Sequence, residues 1–153
     1  MNKAVIASVI LLLIVIGIVV FTVKDGSVTP FVPDDAFLPT IEVAGTPVKV
    51  HVADSPDEHA RGLSGRSIIP FNQGMLFVFD KDDTYSIWMK DMEFSLDIVW
   101  IDASGTIVDI RRNVRPETYP EVFGPRVPSR YVLELVAGFT EAYNIEIGDA
   151  VTL

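Results

Sequence analysis

The sequence predicts a mostly β domain, a compact antiparallel sandwich or barrel with one or two short helices. Two observations lead to this fold class. From Thr40 onward, short runs alternate apolar and polar residues, and a period of two indicates strands that bury one face. Glycine, proline, asparagine and aspartate stand between the runs, as they do at turns. Many short strands separated by turns are typical of sandwiches and barrels.

The N-terminal segment predicts a membrane anchor within residues 1–24. Residues 4–23 contain no charged side chain and are bracketed by Lys3 and Lys24. A helix of about 20 residues, rising about 1.5 Å per residue, spans the roughly 30 Å hydrocarbon core of a bilayer. A cleaved signal peptide is the alternative, but its apolar region normally has about 7–15 residues and ends at a small-residue cleavage site. The following sequence, TVKDGSVTP, supplies no such site, and without any cysteine a lipid-anchored lipoprotein is excluded.

The charges that flank the apolar segment predict its orientation. Lys3 adds its charge to the N-terminal amine, whereas Asp25 directly follows Lys24. The positive-inside rule therefore predicts a single-pass protein with a cytoplasmic N-terminus and an extracytoplasmic domain. Residues 25–39 contain three prolines and are predicted to form a semi-rigid linker, which leaves residues 40–153 for the domain.

Acidic residues dominate the chain after the anchor. Residues 25–153 contain 21 acidic and 10 basic side chains, which gives a formal charge of about −11. Nucleic acid is therefore excluded as a partner, because its binding depends on cationic patches that meet phosphates. The absence of cysteine also excludes disulfides, thiolate metal sites and thiol nucleophiles.

The sequence predicts neither a metal site nor a cofactor. His51 and His59 have no further histidine or cysteine at ligand spacing. Asp80, Asp82 and Asp83 resemble a weak calcium site, but this segment lacks the glycine and the distal glutamate of an EF-hand, so a solvated turn is favoured. The chain contains no P-loop, dinucleotide fingerprint or G-x-S-x-G elbow.

The elements of the domain follow in order from residue 40. A hairpin over residues 40–52 turns at residues 45–47. Ser55 and Glu58 fit a capping box and Pro56 fits the first turn of a short helix, with Gly65 where a C-terminal cap is expected. The remaining predicted strands cover residues 74–79, 84–90, 94–101, 106–112, 130–136 and 145–153, with a hairpin turn at 102–105 and a helical turn at 138–143.

Residues 113–129, which contain four prolines, are predicted to form a long loop. A structureless connection of this length is usually functional or mobile. The loop is therefore a candidate for part of a binding site.

Six blocks in a fixed order resemble a known family. They are ADSPDEHARGLSGR at residues 53–66, GMLFVF at 74–79, IWMKDM at 87–92, LDIVWID at 96–102, RYVLEL at 130–135 and IGDAV at 147–151. Over about residues 41–153 the chain resembles domain-of-unknown-function family 192. The resemblance implies a compact, mostly β domain of sandwich or jelly-roll type, often exported or tethered to a membrane, and it implies no established activity. Some relatives carry cysteines in the loop equivalent to residues 113–129; this chain has none, so no function of thiols is expected there.

Two acidic residues fall inside predicted strands, where a carboxylate on an apolar face needs a partner. Asp97 shares its strand face with Val99 and Ile101, and Glu134 is placed in the same way on its own strand. One interpretation is structural, with each acid ion-paired to a nearby basic residue, namely Arg61, Arg66, Lys90 or Arg130. The alternative is that the two carboxylates form the catalytic pair of a cell-envelope hydrolase.

Another group of residues predicts a binding site. Trp88 and Lys90 share one strand face, beside Asp91, and an aromatic platform next to an ammonium group can hold a sugar, an anionic group or a peptide. Alternatively, Trp88 is part of the core. The predicted function is a non-catalytic, membrane-tethered module that binds a small molecule, a glycan or another envelope protein. Its predicted site comprises Trp88, Lys90, Asp91, Asp97, Arg130 and, from the proline-rich loop, Tyr119 and Phe123.

Overall fold

The computed structural model describes the backbone at residues 10–14, 17–24, 27–31 and 37–153, with side chains from residue 37 onward. The chain divides into two compact units, Met1–Leu38 and Pro39–Leu153. In the first unit, the strands β1 (Ile10–Ile14), β2 (Gly17–Lys24) and β3 (Ser27–Phe31) form an antiparallel sheet in that order.

The predicted membrane anchor concerns this first unit. Within the described ranges, no helix is long and apolar enough to cross a membrane. The predicted anchor at residues 4–23 and the predicted linker at residues 25–39 both include positions outside those ranges. The anchor, its orientation and the linker therefore stay predictions.

The second unit is mostly β with two short helices, as predicted. Its strands are β4 (Thr40–Val43), β5 (Thr46–Ala53), β6 (Gln73–Asp83), β7 (Ile87–Trp88), β8 (Leu96–Ile101), β9 (Ile107–Val114), β10 (Val122–Phe123), β11 (Ser129–Val136) and β12 (Val151–Thr152). Its helices are α1 (Pro56–Arg61) and α2 (Phe139–Ala142), and a 3-10 turn covers Pro116–Thr118.

Seven of these strands form one sheet in the order β12–β4–β5–β6–β11–β8–β9. Every neighbouring pair is antiparallel except β5 and β6, which are parallel. Parallel neighbours cannot be joined by a tight turn and need a crossover connection, which the segment with α1 provides. The prediction of a purely antiparallel domain is therefore wrong at this pair.

The sheet curls until its two edges meet. Thr106 and Ala150 form an antiparallel bridge beside β9 and β12, and the Ile107 N–H donates to the Asp149 carbonyl at 2.9 Å. The enclosed face buries one apolar cluster, which includes Val43, Val50, Leu76, Val99, Leu133, Leu135 and Phe139. The opposite face buries a second cluster, which includes Leu63, Phe77, Ile87, Met89, Ile98, Trp100 and Val132. A polar side chain on either face of the central strands must therefore find its partner inside the protein.

Helix α1 begins as predicted but ends earlier. Ser55 Oγ accepts a hydrogen bond from the Glu58 N–H at 3.4 Å, and Glu58 Oε2 accepts one from the Ser55 N–H at 3.1 Å, which confirms the capping box. The helix ends at Gly62 and not at Gly65. Gly62 has a φ of +50°, a left-handed conformation that glycine adopts without a Cβ clash. The chain turns there, and the next residue, Leu63, is buried in the second cluster.

Two predicted strands are shorter in the structure. The strand predicted at residues 84–90 is reduced to β7, and the one predicted at residues 145–153 is reduced to β12. Trp100 Nε1 donates to the Tyr85 carbonyl at 2.8 Å, so a side chain, and not a neighbouring strand, satisfies the backbone at that position. The predicted loop at residues 113–129 has more structure than expected, because β10 pairs with β7.

An ion pair between a buried aspartate and a largely exposed arginine, which the sequence analysis did not predict, holds this loop against β9. Asp109 is fully buried, and its Oδ2 accepts hydrogen bonds from the Arg126 backbone N–H at 2.9 Å and from Arg126 Nε at 3.1 Å. Burial raises the pKa of the Asp109 carboxyl, but the hydrogen bonds from Arg126 outweigh burial and hold this pKa below its ordinary value. The loop is thus fixed near its C-terminal end.

Asp97, fully buried on β8, finds its partners in the backbone. Its Oδ1 accepts the Asn113 N–H at 2.9 Å, and its Oδ2 accepts the Gly138 N–H at 3.1 Å and the Thr140 N–H at 3.0 Å. Thr140 Oγ1 donates a further bond to Oδ2 at 2.7 Å. The predicted ion pair at Asp97 is therefore wrong. This carboxylate instead ties the end of β9 and the start of α2 to the sheet.

We expect Asp97→Ala to lower the free energy of unfolding by at least about 3 kcal/mol. The substitution removes the acceptor of four hydrogen bonds. Two of their donors, the N–H and the hydroxyl of Thr140, are buried, and each unsatisfied buried group costs about 1–3 kcal/mol. Urea unfolding followed by circular dichroism measures the change, with Glu121→Ala, which alters an exposed glutamate, as the control. An Asp97→Ala curve that overlays the control curve would contradict a structural role for Asp97.

Candidate functional site

Glu134 is a buried acidic residue, and one of its two carboxyl oxygens has no hydrogen-bond partner among the described residues. It lies in the middle of β11, opposite Met75 of β6 and Ile98 of β8, and only 4% of its surface is exposed. Its Oε2 has no hydrogen-bond partner among the residues that the structure describes. The predicted ion pair to an arginine or lysine is wrong here as well, since none of the observed salt bridges includes Glu134.

Burial determines the charge of this side chain. Removal from water penalises the carboxylate form and raises the pKa of Glu134 from 4.5 to about 8. At neutral pH the side chain is therefore mainly a neutral carboxylic acid, which can donate one hydrogen bond and accept others. Buried carboxyl groups with such a pKa cluster at functional sites.

A pocket of about 60 Å³ lies next to the Glu134 carboxyl. It is lined by the end of α1 and the residues after it, by β7, and by the second apolar cluster: His59, Ala60, Arg61, Gly62, Leu63, Ser64, Phe77, Ser86, Ile87, Trp88, Met92 and Glu134. A Cβ at position 62 would lie 3.3 Å from Phe77 Cζ and 3.9 Å from Glu134 Oε2, so the absence of a side chain at Gly62 leaves room beside the carboxyl. This volume can hold a small polar group, since a cavity of about 10–15 Å³ on the same measure already holds one water.

Trp88 is 48% exposed and is therefore not a core residue. One aromatic and one cationic side chain lie beside its ring. The Tyr119 ring lies edge-on to Trp88, with 6.0 Å between the centroids, and Lys90 Nζ lies 5.9 Å from the centroid of the Trp88 ring. Val122, also exposed, is opposite Trp88 in the pairing of β10 with β7. The structure thus brings Trp88, Lys90 and Tyr119 together beside the pocket.

Asp91 helps to hold the walls of the pocket together through its backbone carbonyl. The Asp91 carbonyl accepts the Gly65 N–H at 2.9 Å, and the Lys90 carbonyl accepts a hydrogen bond from Ser64 Oγ at 2.8 Å. These two bonds dock the segment after α1 onto the turn after β7. They fix two walls of the pocket relative to each other.

Three predicted site residues lie elsewhere. Phe123 is half-buried and packs against the second apolar cluster, and Arg130 Nε donates to Asp82 Oδ1 at 2.7 Å. Asp97 is opposite Leu135 in the sheet, whereas Glu134 is opposite Ile98. Side chains of successive strand residues point to opposite faces, so Asp97 and Glu134 lie on different faces. The two carboxylates therefore cannot flank one scissile bond.

The sequence analysis missed several residues of the pocket. Ser64 and Ser86 are short polar residues in segments that resemble turns, and Arg61 was considered only as an ion-pair partner of the two strand acids. The signal that could have found them is the block at residues 53–66, in which Gly62 follows Arg61 directly. In the part of the chain that the structure describes, no group of three or more histidine, aspartate or glutamate side chains could hold a metal ion.

The unusual pKa of Glu134 predicts a specific pH dependence of stability. In the unfolded chain this carboxyl titrates near its ordinary pKa of 4.5, and in the folded protein near 8. Between these pH values the unfolded state loses a proton that the folded state keeps. We therefore expect this group to lower the free energy of unfolding as the pH rises, by at most about 1.4 kcal/mol per pH unit, with no further change above the folded pKa.

Urea unfolding of the parent and of Glu134→Gln, repeated from about pH 5 to pH 9, checks this expectation, because the difference between the two curves isolates Glu134. The variant should gain stability relative to the parent as the pH rises. Glu121→Gln, at an exposed site, should follow the parent throughout. A constant difference between Glu134→Gln and the parent would show that the pKa of Glu134 is not raised.

Two solved structures share this architecture. A solved structure of a putative transcription regulator from Sinorhizobium meliloti aligns with a TM-score of 0.69 and 30% identity, over 73% of this chain and 88% of that one. A protein of unknown function from Novosphingobium aromaticivorans aligns with a TM-score of 0.73 and 25% identity, over 79% and 89% of the two chains.

Sequence relatives lead to the same family. A UPF0127 protein of Thermococcus sibiricus is 29% identical over 105 residues, which are 67% of this chain and 64% of that protein. A UPF0127 protein of Thermococcus gammatolerans has the same identity over 65% of its length, so the chain spans less than two thirds of these relatives. The model of the family DUF192, described as "Uncharacterized ACR", matches residues 39–153. The resemblance of the six blocks is thereby confirmed, and this chain belongs to the DUF192 family.

Proposed function

We propose that the domain is a ligand-binding module whose site is the pocket next to Glu134. The observation that supports this most directly is that Glu134, whose buried Oε2 has no partner among the described residues, lines that pocket. Leaving a buried polar atom unsatisfied costs about 1–3 kcal/mol. A ligand that supplies the missing hydrogen bond removes this cost in the bound state.

The residues that line the pocket indicate which chemical groups the ligand carries. The lining includes the neutral carboxylic acid Glu134, the hydroxyl-bearing residues Ser64 and Ser86, and the aromatic ring of Trp88. A polar group that both donates and accepts hydrogen bonds fits these polar side chains, and a flat apolar portion fits against Trp88 and Tyr119. Such a group can belong to a free small molecule, or to the end of a glycan or peptide of the cell envelope.

Other functions have less support. A hydrolase that uses Asp97 and Glu134 together does not fit two carboxylates on opposite faces of the sheet. A role in transcription, as named for the Sinorhizobium meliloti protein, conflicts with the formal charge of about −11 on residues 25–153, because nucleic acid binding needs cationic patches. Binding without catalysis is therefore the function that we favour.

We also propose that the domain is held outside the cytoplasm by the N-terminal segment. The twenty uncharged residues at 4–23 suffice in length for one helical span. Lys3 and the N-terminal amine favour a cytoplasmic N-terminus. A membrane tether would place the binding site near envelope glycans and peptides, which agrees with the ligand class proposed above.

We expect a metabolite and envelope-glycan library to yield a ligand that depends on this pocket. Saturation-transfer NMR with the full chain detects such ligands. Trp88→Ala should raise the Kd at least about tenfold, or about 1.4 kcal/mol, and Glu134→Leu should abolish binding by removing the buried hydrogen-bonding group. Tyr143→Ala, at an aromatic residue of similar exposure that does not line the pocket, is the control. Ligands that bind all four proteins equally would place the site elsewhere.

The membrane tether has its own test. The full chain should sediment with membranes and resist extraction by carbonate, and protease added outside intact spheroplasts should digest the domain. Removal of residues 1–24 should release the domain into the soluble fraction. If the intact mass of the mature protein corresponds to an N-terminus near residues 26–29, the segment is cleaved. If external protease does not digest the domain, the orientation is opposite to the one proposed.

A further inference from the structure

A second pocket adjoins the one next to Glu134. It has a volume of about 210 Å³ and shares Arg61, Gly62 and Ser64 with the first pocket. Its other lining includes His51 and Arg66. The turn at Gly62, which ends α1, therefore contributes to both pockets.

Two guanidinium groups at this second pocket have no carboxylate partner. The Arg61 side chain has no hydrogen bond or ion pair among the described residues, and Arg66 Nη1 has one contact, with His51 Nε2 at 3.3 Å. Guanidinium groups only donate, so His51 Nε2 is the acceptor in this contact. Of the other five arginines, Arg111, Arg112, Arg126 and Arg130 form ion pairs with carboxylates, and the exposed Arg115 forms none with the described residues.

The acidic residue that lines the second pocket is engaged elsewhere. Glu58 lines the second pocket, but its Oε2 accepts hydrogen bonds from Ser55 Oγ at 2.6 Å, from the Ser55 N–H at 3.1 Å and from the Asp54 N–H at 3.2 Å. Acidic residues outnumber basic ones two to one after residue 24. The two arginines thus remain without ion pairs in a domain that has an excess of carboxylates.

We propose that the ligand is an oxyanion-bearing molecule and that Arg61 and Arg66 bind its carboxylate or phosphate group in the second pocket. The planar guanidinium donates two parallel hydrogen bonds, which match the oxygens of a carboxylate or phosphate. The inference rests on the proposed function in one respect, namely that the rest of the same ligand reaches the pocket next to Glu134. The substrate class is accordingly a small organic acid or phosphate ester with a hydrogen-bonding group at its other end.

The first pocket agrees with an anionic ligand. Because the Glu134 carboxyl is mainly neutral at pH 7, it adds no full negative charge there, while Arg61 lines both pockets and Lys90 lies over Trp88. A cationic ligand would meet these two positive side chains and would have to ionise Glu134. An anion meets a hydrogen-bond donor and opposite charges instead.

The test uses inorganic phosphate and acetate as separate probes of the full chain, with total ionic strength held constant by sodium chloride. Arginine Nε–Hε signals in ¹H–¹⁵N NMR report on each guanidinium. We expect saturable shifts at Arg61 and Arg66 with at least one of the two probes and none at Arg115, which is exposed. Saturation by phosphate alone would indicate a phosphate ester, saturation by acetate alone a carboxylic acid, and saturation by both a site for either group.

Matched variants separate this inference from the proposed function. Arg61→Gln and Arg66→Gln should each weaken binding of the probe at least about tenfold, while Arg115→Gln leaves it unchanged. Glu134→Leu should also leave it unchanged, because inorganic anions occupy only the second pocket. Linear shifts at all arginines with both probes, or an equal loss in Arg115→Gln, would overturn the anion site. A ligand that requires Glu134 but not Arg61 would overturn it too, while leaving the proposed function intact.

Discussion

The central strands β8 and β11 are covered on both faces, and this constraint governs every polar group in the middle of the domain. A sheet strand with two buried faces has no route to water for its side chains. On the enclosed face, Asp97 meets the constraint with bonds to three backbone N–H groups and to the Thr140 hydroxyl. On the other face, Glu134 leaves Oε2 unsatisfied and takes up a proton instead. The same constraint thus produces a structural carboxylate on one face and a mainly neutral carboxylic acid on the other.

The single parallel pair determines what lies above Glu134. Since β5 and β6 are parallel, the chain between them must cross the sheet, and it crosses the face on which Glu134 lies. The capping box starts α1 and Gly62 ends it after six residues, so the crossover turns close to the carboxyl without filling the space beside it. The segment after α1 then docks on the turn after β7 through Ser64 and Gly65. The pocket is therefore a product of the crossover, and the strands alone would not form it.

Local signals in the sequence predicted the local structure. The hairpin of β4 and β5, the capping box and the turn at residues 102–105 each depend on residues close together in the chain, and all three are present. The parallel pairing was not predictable in this way, because it depends on which strands become neighbours. The partners of Asp97 were equally hidden, since Thr140 lies 43 residues away. For Glu134 the sequence indicated an acid on an apolar face, but the absence of a partner is visible only when all elements are in place.

For the proposed binding function, the ion pair between Asp109 and Arg126 bears on how quickly a ligand enters. It fixes one end of the proline-rich loop, and the pairing of β10 with β7 fixes the part next to Trp88. Tyr119 lies between these attachments and the 3-10 turn, with its ring against Trp88. A loop held in this way forms a rigid wall and does not act as a lid. Ligand association should accordingly be limited by diffusion and charge, and the time that a ligand stays bound should depend on contacts inside the pocket, because no loop opening precedes release.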